Sequence, residues 1–181
     1  MIEGEALVLP PEAAGAAKAY LRVERADEDG LIGGLAAAAA ELCEGFTGRA
    51  LLTRGFVETV PASRAWQRLG RAPVRAITSV EALPADGPAQ ALASGAYGID
   101  IDSGGDGWVR LTDAGDVRRI RVGYQAGLAD AWSELPAAIR QGIVRLAAHF
   151  YTNRAAEAPR PAELPAAVAA LWRPFRRFRL R

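Results

Sequence analysis

The sequence predicts an α+β protein: a helical core built from N-terminal and C-terminal helices, with a small antiparallel β-sandwich or barrel-like module inserted between them. Three observations carry this. Apolar residues recur at helical spacing between Asp27 and Gly48, behind a cluster of carboxylates. From residue 51 to about 126 the pattern changes to short runs punctuated by glycine and proline. Helical spacing then returns after Pro136. The expected divisions are 1–50 for the N-terminal helices, 51–127 for the β module, 128–157 for a long core helix, and 158–181 for a C-terminal helix and tail.

Pro11 and Glu12 suit the first turn of a short, weakly amphipathic helix running to Leu21. Asp27-Glu28-Asp29 then places carboxylates where the positive end of a helix favours them, with Asp27 as the expected N-cap. Leu31, Leu35, Leu42 and Phe46 form one stripe, widened by Ala38 and Ala39, and Gly48 offers a left-handed stop. So many alanines suit close packing against another helix, in the same chain or in a second copy.

Residues 56–60, 77–83, 97–101, 108–111 and 119–124 read as strands. The clearest is Arg119-Ile120-Arg121-Val122-Gly123-Tyr124, where the apolar residues share one face and the arginines the other. Pro84-Ala85-Asp86-Gly87 and Ser103-Gly104-Gly105-Asp106-Gly107 are turn sequences. In the second half, Ile139, Ile143, Leu146 and Phe150 make a stripe that anchors the core, Asn153 ends that helix, and the segment with Pro159 and Pro161 is a stiff linker.

The last stretch, from Leu164, begins as a helix with Pro165 in its first turn and Val168, Leu171 and Phe175 at helical spacing. Pro174 removes a backbone donor and restricts Arg173, so the helix is expected to end or kink there. Beyond it aromatics and arginines interleave with no acidic residue. Trp172, Phe175 and Phe178 would leave large apolar surfaces in water unless covered, by a partner or by the protein's own core. A merely solvated basic end is the plain alternative.

Totals narrow the function classes. Lysine plus arginine (22) nearly balances aspartate plus glutamate (21), a net charge of +1 over 181 residues, so no general affinity for nucleic acid follows and any basic function is local. The single cysteine, Cys43, excludes an intrachain disulfide framework and fits a reducing compartment. The N-terminal residues have neither a basic region nor a long apolar core and do not read as a secretory signal, and no alanine run is long enough to span a membrane.

No catalytic constellation emerges. The lone histidine, His149, sits in the middle of the anchoring helix, where a structural role is expected, and a zinc site would need further ligands. Asp100-Ile101-Asp102-Ser103-Gly104-Gly105-Asp106 resembles a calcium loop until the twelfth position, Leu111, which should be a bidentate glutamate; a hairpin turn fits better. Glycine-rich phosphate loops are missing from the sequence. No enzyme, cofactor or metal is expected.

Taken in order, the pieces resemble a known family. These are Leu21-Arg22-Val23 with Asp27-Glu28-Asp29-Gly30-Leu31-Ile32; Phe46-Thr47-Gly48-Arg49-Ala50-Leu51; Pro73-Val74 with Ile77-Thr78-Ser79-Val80; Val122-Gly123-Tyr124-Gln125-Ala126-Gly127; Leu135-Pro136-Ala137-Ala138-Ile139; His149-Phe150-Tyr151-Thr152-Asn153-Arg154; and Leu171-Trp172-Arg173-Pro174-Phe175-Arg176. Together, over nearly the whole chain, they resemble the head-tail connector (adaptor) proteins of tailed bacteriophages and of phage-derived gene transfer agents.

That resemblance implies a virion structural protein of the neck, present as a ring of about twelve copies under the portal protein. It would join the portal to a tail-side stopper or tail terminator protein around a channel through which DNA passes without sequence-specific binding. It also implies a particle location, with assembly in the bacterial cytoplasm and no membrane partner. The expected portal-facing residues are Trp172, Arg173, Pro174, Phe175, Arg176, Arg177, Phe178, Arg179, Leu180 and Arg181. Leu31, Leu35, Ala38, Ala39, Arg140 and Arg145 are the expected ring contacts. Two other classes stay open at this point: a small nucleic-acid-binding protein using the C-terminal arginine cluster, and a hydrolase relying on His149.

Overall fold

The alternation at Arg119-Ile120-Arg121-Val122-Gly123-Tyr124 produces the middle strand of a sheet. The computed structural model describes residues 1–84, 87–113, 115, 117–153 and 164–177. Its strands are β1 (Ile2–Gly4), β2 (Arg54–Pro61), β3 (Gln67–Arg68), β4 (Val74–Leu83), β5 (Gln90–Ala91), β6 (Tyr97–Ile101), β7 (Gly107–Leu111) and β8 (Arg119–Ala126). Its helices are α1 (Pro11–Leu21), α2 (Asp29–Thr47), α3 (Ala137–Thr152) and α4 (Ala166–Trp172). The chain divides into two units, Met1–Ala6 with Leu52–Leu128, and Leu7–Leu51 with Ala129–Arg181.

In the first unit, a five-stranded antiparallel sheet runs in the order β1-β2-β8-β4-β5, and a three-stranded one in the order β3-β7-β6. On β8, Ile120, Val122, Tyr124 and Ala126 are buried, paired in register with Val60, Glu58, Phe56 and Arg54 of β2. Val80 and Ala82 of β4 face Val122 and Ile120 from the other side. Val109 and Leu111 point inward from the smaller sheet. The two sheets meet so closely that a Cβ on Gly107 would lie 2.8 Å from Val74. Both sheets are open, so of the two expected forms the module takes the sandwich and not the barrel.

The N-terminus corrects the expected boundary at residue 50. Ile2–Gly4 pairs with β2, placing residues 1–6 in the β unit rather than with the N-terminal helices. A three-residue strand has no periodicity to read; its pairing partner, more than fifty residues away, defines it.

The second unit is helical. α2 ends as expected at Gly48, which takes φ +68 and donates its N–H to the Glu44 carbonyl at 2.8 Å, a conformation that glycine adopts without a Cβ clash. Its start differs from expectation. Asp27 lies in a 3-10 turn, Ala26–Glu28, and its carboxylate receives Arg25 at 2.6 and 3.1 Å instead of capping α2. The buried face also differs. Ile32, Ala36, Ala39, Ala40, Cys43 and Thr47 turn inward, while Leu31 (46%) and Leu42 (37%) are exposed. The small side chains let α1 and α3 approach closely, so the leucines are turned out. α3 follows its expected stripe through Ile139, Ile143 and Leu146, each contributing about 1.5–3 kcal/mol by burial, with Phe150 half-buried at its end.

Candidate interaction surfaces

The C-terminal segment was expected to need a cover, and for Trp172 the cover is its own helical unit. α4 ends at Trp172 and continues as a 3-10 turn, Arg173–Phe175, where Pro174 cannot prolong an α-helix. Trp172 is fully buried and donates its indole N–H to the Ile139 carbonyl at 3.3 Å. Gly142 lies directly beneath the ring, and Phe46 tilts against it at 6.1 Å between centroids. Trp172 is therefore a core residue in this fold, a correction to its expected place on the portal-facing surface.

The residues after it are tied to the end of α2. Arg49 donates its Nε to the Phe175 carbonyl at 2.9 Å, and the Arg177 N–H donates to the Thr47 carbonyl at 2.8 Å. The Arg176 guanidinium lies 5.5 Å over the Phe46 ring. Arg173, Pro174 and Arg176 remain exposed, and Phe175 and Arg177 are half-buried. Phe178, Arg179, Leu180 and Arg181 lie outside the described residues.

Of the expected ring contacts, Leu31, Ala38 and Arg145 are exposed and Leu35 is half-buried. Leu31, Leu35, Ala38 and Leu42 form an outward stripe at helical spacing, and Leu42 is its one member outside the expected ring contacts. Ala39 has no exposed surface and packs inside the unit, so it is not available to a second copy; Arg140 is half-buried and donates its Nε to the Leu135 carbonyl at 3.1 Å.

The remaining polar features are internal. Buried Glu44 accepts the Leu51 N–H at 2.7 Å, and burial, then the nearby Glu44 charge, push the Cys43 thiol well above its ordinary range. In the β unit, buried Glu58 accepts from the Tyr124 hydroxyl at 3.0 Å and from the Gly70 N–H at 2.7 Å; burial first, and Glu58 second, push the phenol up. Asp102 turns its carboxylate onto its own hairpin, accepting from the Gly104 and Asp106 N–H groups at 2.9 Å each and the Trp108 indole at 3.0 Å. Those bonds commit Asp102 to its own hairpin, and the Asp106 carboxylate accepts from Arg68 at 3.1 Å. His149 stands exposed beside Asn153, and no group of three metal-ligating side chains occurs among the described residues. A shallow cavity of about 400 Å³ on the five-stranded sheet is lined by Glu3, Val57, Ser79 and the Arg121–Glu81 ion pair. No described helix is long and apolar enough to cross a membrane.

The chain thus combines a helical unit, interrupted in sequence by a two-sheet module, with an exposed apolar stripe on α2 and exposed arginines after α4. Protein-family models and curated protein sequences yield no match. Solved structures do. The chain is similar to one from the neck of an empty gene transfer agent particle computed with six-fold symmetry, at 26% identity and TM-score 0.77. It is likewise similar to one from the native gene transfer agent virion, at 28% and 0.75, and to one from the native neck computed with twelve-fold symmetry, at 26% and 0.73. Each alignment covers 99% of this chain and 97% of the other. The resemblance seen in the motifs thus extends to the fold, which has the build of a virion structural protein of the neck.

Proposed function

We propose that the protein is a head-tail connector of a tailed phage or gene transfer agent. It assembles as a homo-oligomeric ring beneath the portal and links it to a tail-side neck protein around the DNA channel. The observation that carries this is the near end-to-end structural match, at 26–28% identity, to chains of gene transfer agent neck and virion structures. Its role is structural rather than catalytic, exercised in the particle after assembly in the bacterial cytoplasm.

The outward stripe of α2, Leu31, Leu35, Ala38 and Leu42, is the ring contact, with Arg145 available beside the helical core. Exposed leucines on a helix whose opposite face is already packed carry unburied apolar area, which a neighbouring copy covers. Portal docking falls to the end of the chain, with exposed Arg173 and Arg176 and the four residues after Arg177. In a ring, many weak tails act together by effective concentration.

The test is sedimentation with the portal ring from the same locus, comparing the full chain with one ending at Arg177. That truncation spares the Trp172 and Arg177 contacts that hold the helical unit. Co-sedimentation of the full chain and its loss on truncation support the reading; equal failure of both forms to bind the portal overturns it.

A further inference from the structure

The β unit leaves one strand edge open. Beyond the two ends of β6 the Thr112 N–H donates to the Ala96 carbonyl at 2.9 Å and the Asp102 N–H to the Asp106 carbonyl at 3.0 Å, which fixes the alternation along Tyr97–Ile101. Gly98 and Asp100 therefore turn their backbone groups toward Arg110 and Trp108, while the N–H and carbonyl groups of Tyr97, Ile99 and Ile101 point away from β7. β6 is the last strand of its sheet, and no described group bonds to that outward row. The hairpin is pinned at its turn, where the Val74 N–H donates to the Gly105 carbonyl at 2.8 Å, but β4 and β6 are hydrogen-bonded neighbours in neither sheet.

The side chains beside the open row are apolar. Ile99 is the register partner of fully buried Val109 and so shares the inner face, yet at the rim it stays 47% exposed, and Ile101 40%. On the other face Asp100 is exposed without an ion pair among the described residues, and the Trp66 ring overhangs Gly98. Strand edges are ordinarily guarded by shortness, proline, lysine or a bulge. β1 has three residues, β3 and β5 two each, and β4 carries register shifts between Val74 and Ala76 and between Ile77 and Ser79. β6 keeps five residues in unbroken register and has none of these guards. A second copy therefore offers no matching edge except its own β6, and a β6–β6 pair is a closed two-fold contact, not the head-to-tail contact of a ring.

We propose that the β6 edge receives an extended segment of the tail-side neck protein, which adds a fourth strand to the β3-β7-β6 sheet. The proposal rests on the connector reading, in which the end of the chain meets the portal and the tail-side protein is left to be held elsewhere. Backbone bonds to Tyr97, Ile99 and Ile101 supply the affinity, and alternate side chains supply the selection. The incoming segment places apolar residues over Ile99 and Ile101, and polar or basic residues on the face of Asp100.

The test is amide hydrogen exchange at single-residue resolution, on the full chain alone and with the tail-side neck protein from the same locus. In the free chain the Gly98 and Asp100 amides should be protected and those of Ile99 and Ile101 should exchange freely; binding should slow the latter pair at least about ten-fold. Ile99→Pro, which removes only an outward donor, and Ile99→Lys, which guards the edge, should each raise Kd for that protein at least about ten-fold, while Ile99→Val binds like wild type. If circular dichroism shows the proline variant unfolded, the lysine variant and the exchange pattern decide. Binding that leaves Ile99 and Ile101 unprotected, or that Ile99→Lys does not weaken, overturns the inference. Protection of those amides in the chain alone also overturns it, because a second copy then holds the edge. A chain that does not bind the tail-side protein overturns it as well, and portal sedimentation then shows whether the connector reading falls with it.

Discussion

The indole N–H of Trp172 donates to the backbone carbonyl of Ile139 at 3.3 Å, across a helix surface left open by Gly142. A bulky side chain from the last helix thus fills a hole that a single missing Cβ creates in α3.

Gly142→Ala should be strongly destabilising, because the added Cβ would collide with the rigid indole. Trp172→Ala removes the ring itself and should cost about 3–5 kcal/mol. Both are read from urea unfolding midpoints. A Trp172→Ala chain as stable as wild type would return the residue to the surface role that its sequence suggests.

The two faces of α2 should respond oppositely to substitution. Ala39→Leu overpacks a position with no exposed surface and should cost about 1–3 kcal/mol. Leu31→Glu with Leu42→Glu should change unfolding free energy by no more than about 0.5 kcal/mol per site, yet abolish ring-sized species in analytical ultracentrifugation. Destabilisation by the glutamates would mean that these leucines belong to the core.

Tyr124→Phe takes one hydrogen bond from buried Glu58 and leaves it the Gly70 N–H, a loss of about 1–2 kcal/mol. The same phenol sets a pH dependence. Its folded pKa is raised above the ordinary value of about 10, so the protonated form is favoured in the native state. Its contribution is complete below roughly pH 10 and is lost as pH climbs toward the folded value. Unfolding midpoints should fall with alkaline pH in wild type and fall less steeply in Tyr124→Phe.

Cys43 should be inert to thiol reagents in the native protein. It has no exposed surface, and burial followed by the Glu44 charge disfavours the reactive thiolate. Colourimetric thiol titration should find no reactive group until denaturant is added, whereas rapid labelling of the folded chain would show that α2 opens locally.

Much of the fold was legible because its repeating elements are periodic. The five strands read from the sequence are all present, 97–101 with the same bounds and the other four longer by one to three residues, and so are α1, the stop at Gly48 and the break after Trp172. The elements missed are Ile2–Gly4, Gln67–Arg68 and Gln90–Ala91, each too short for alternation to register. The surfaces were harder. Leu31, Leu35, Ala38 and Leu42 lie at the same helical spacing as Ile32, Ala36, Ala39 and Cys43, one residue on, and periodicity alone cannot rank two adjacent stripes.

By itself, then, the sequence determined the order of helices and strands, the near-neutral charge and the family resemblance, because these depend on local spacing and residue type. Tertiary structure decided which stripe of α2 is buried, since only α1 and α3 select small side chains for close approach. It also decided that Trp172 is core, since the cavity that receives it is made by Gly142, thirty residues earlier.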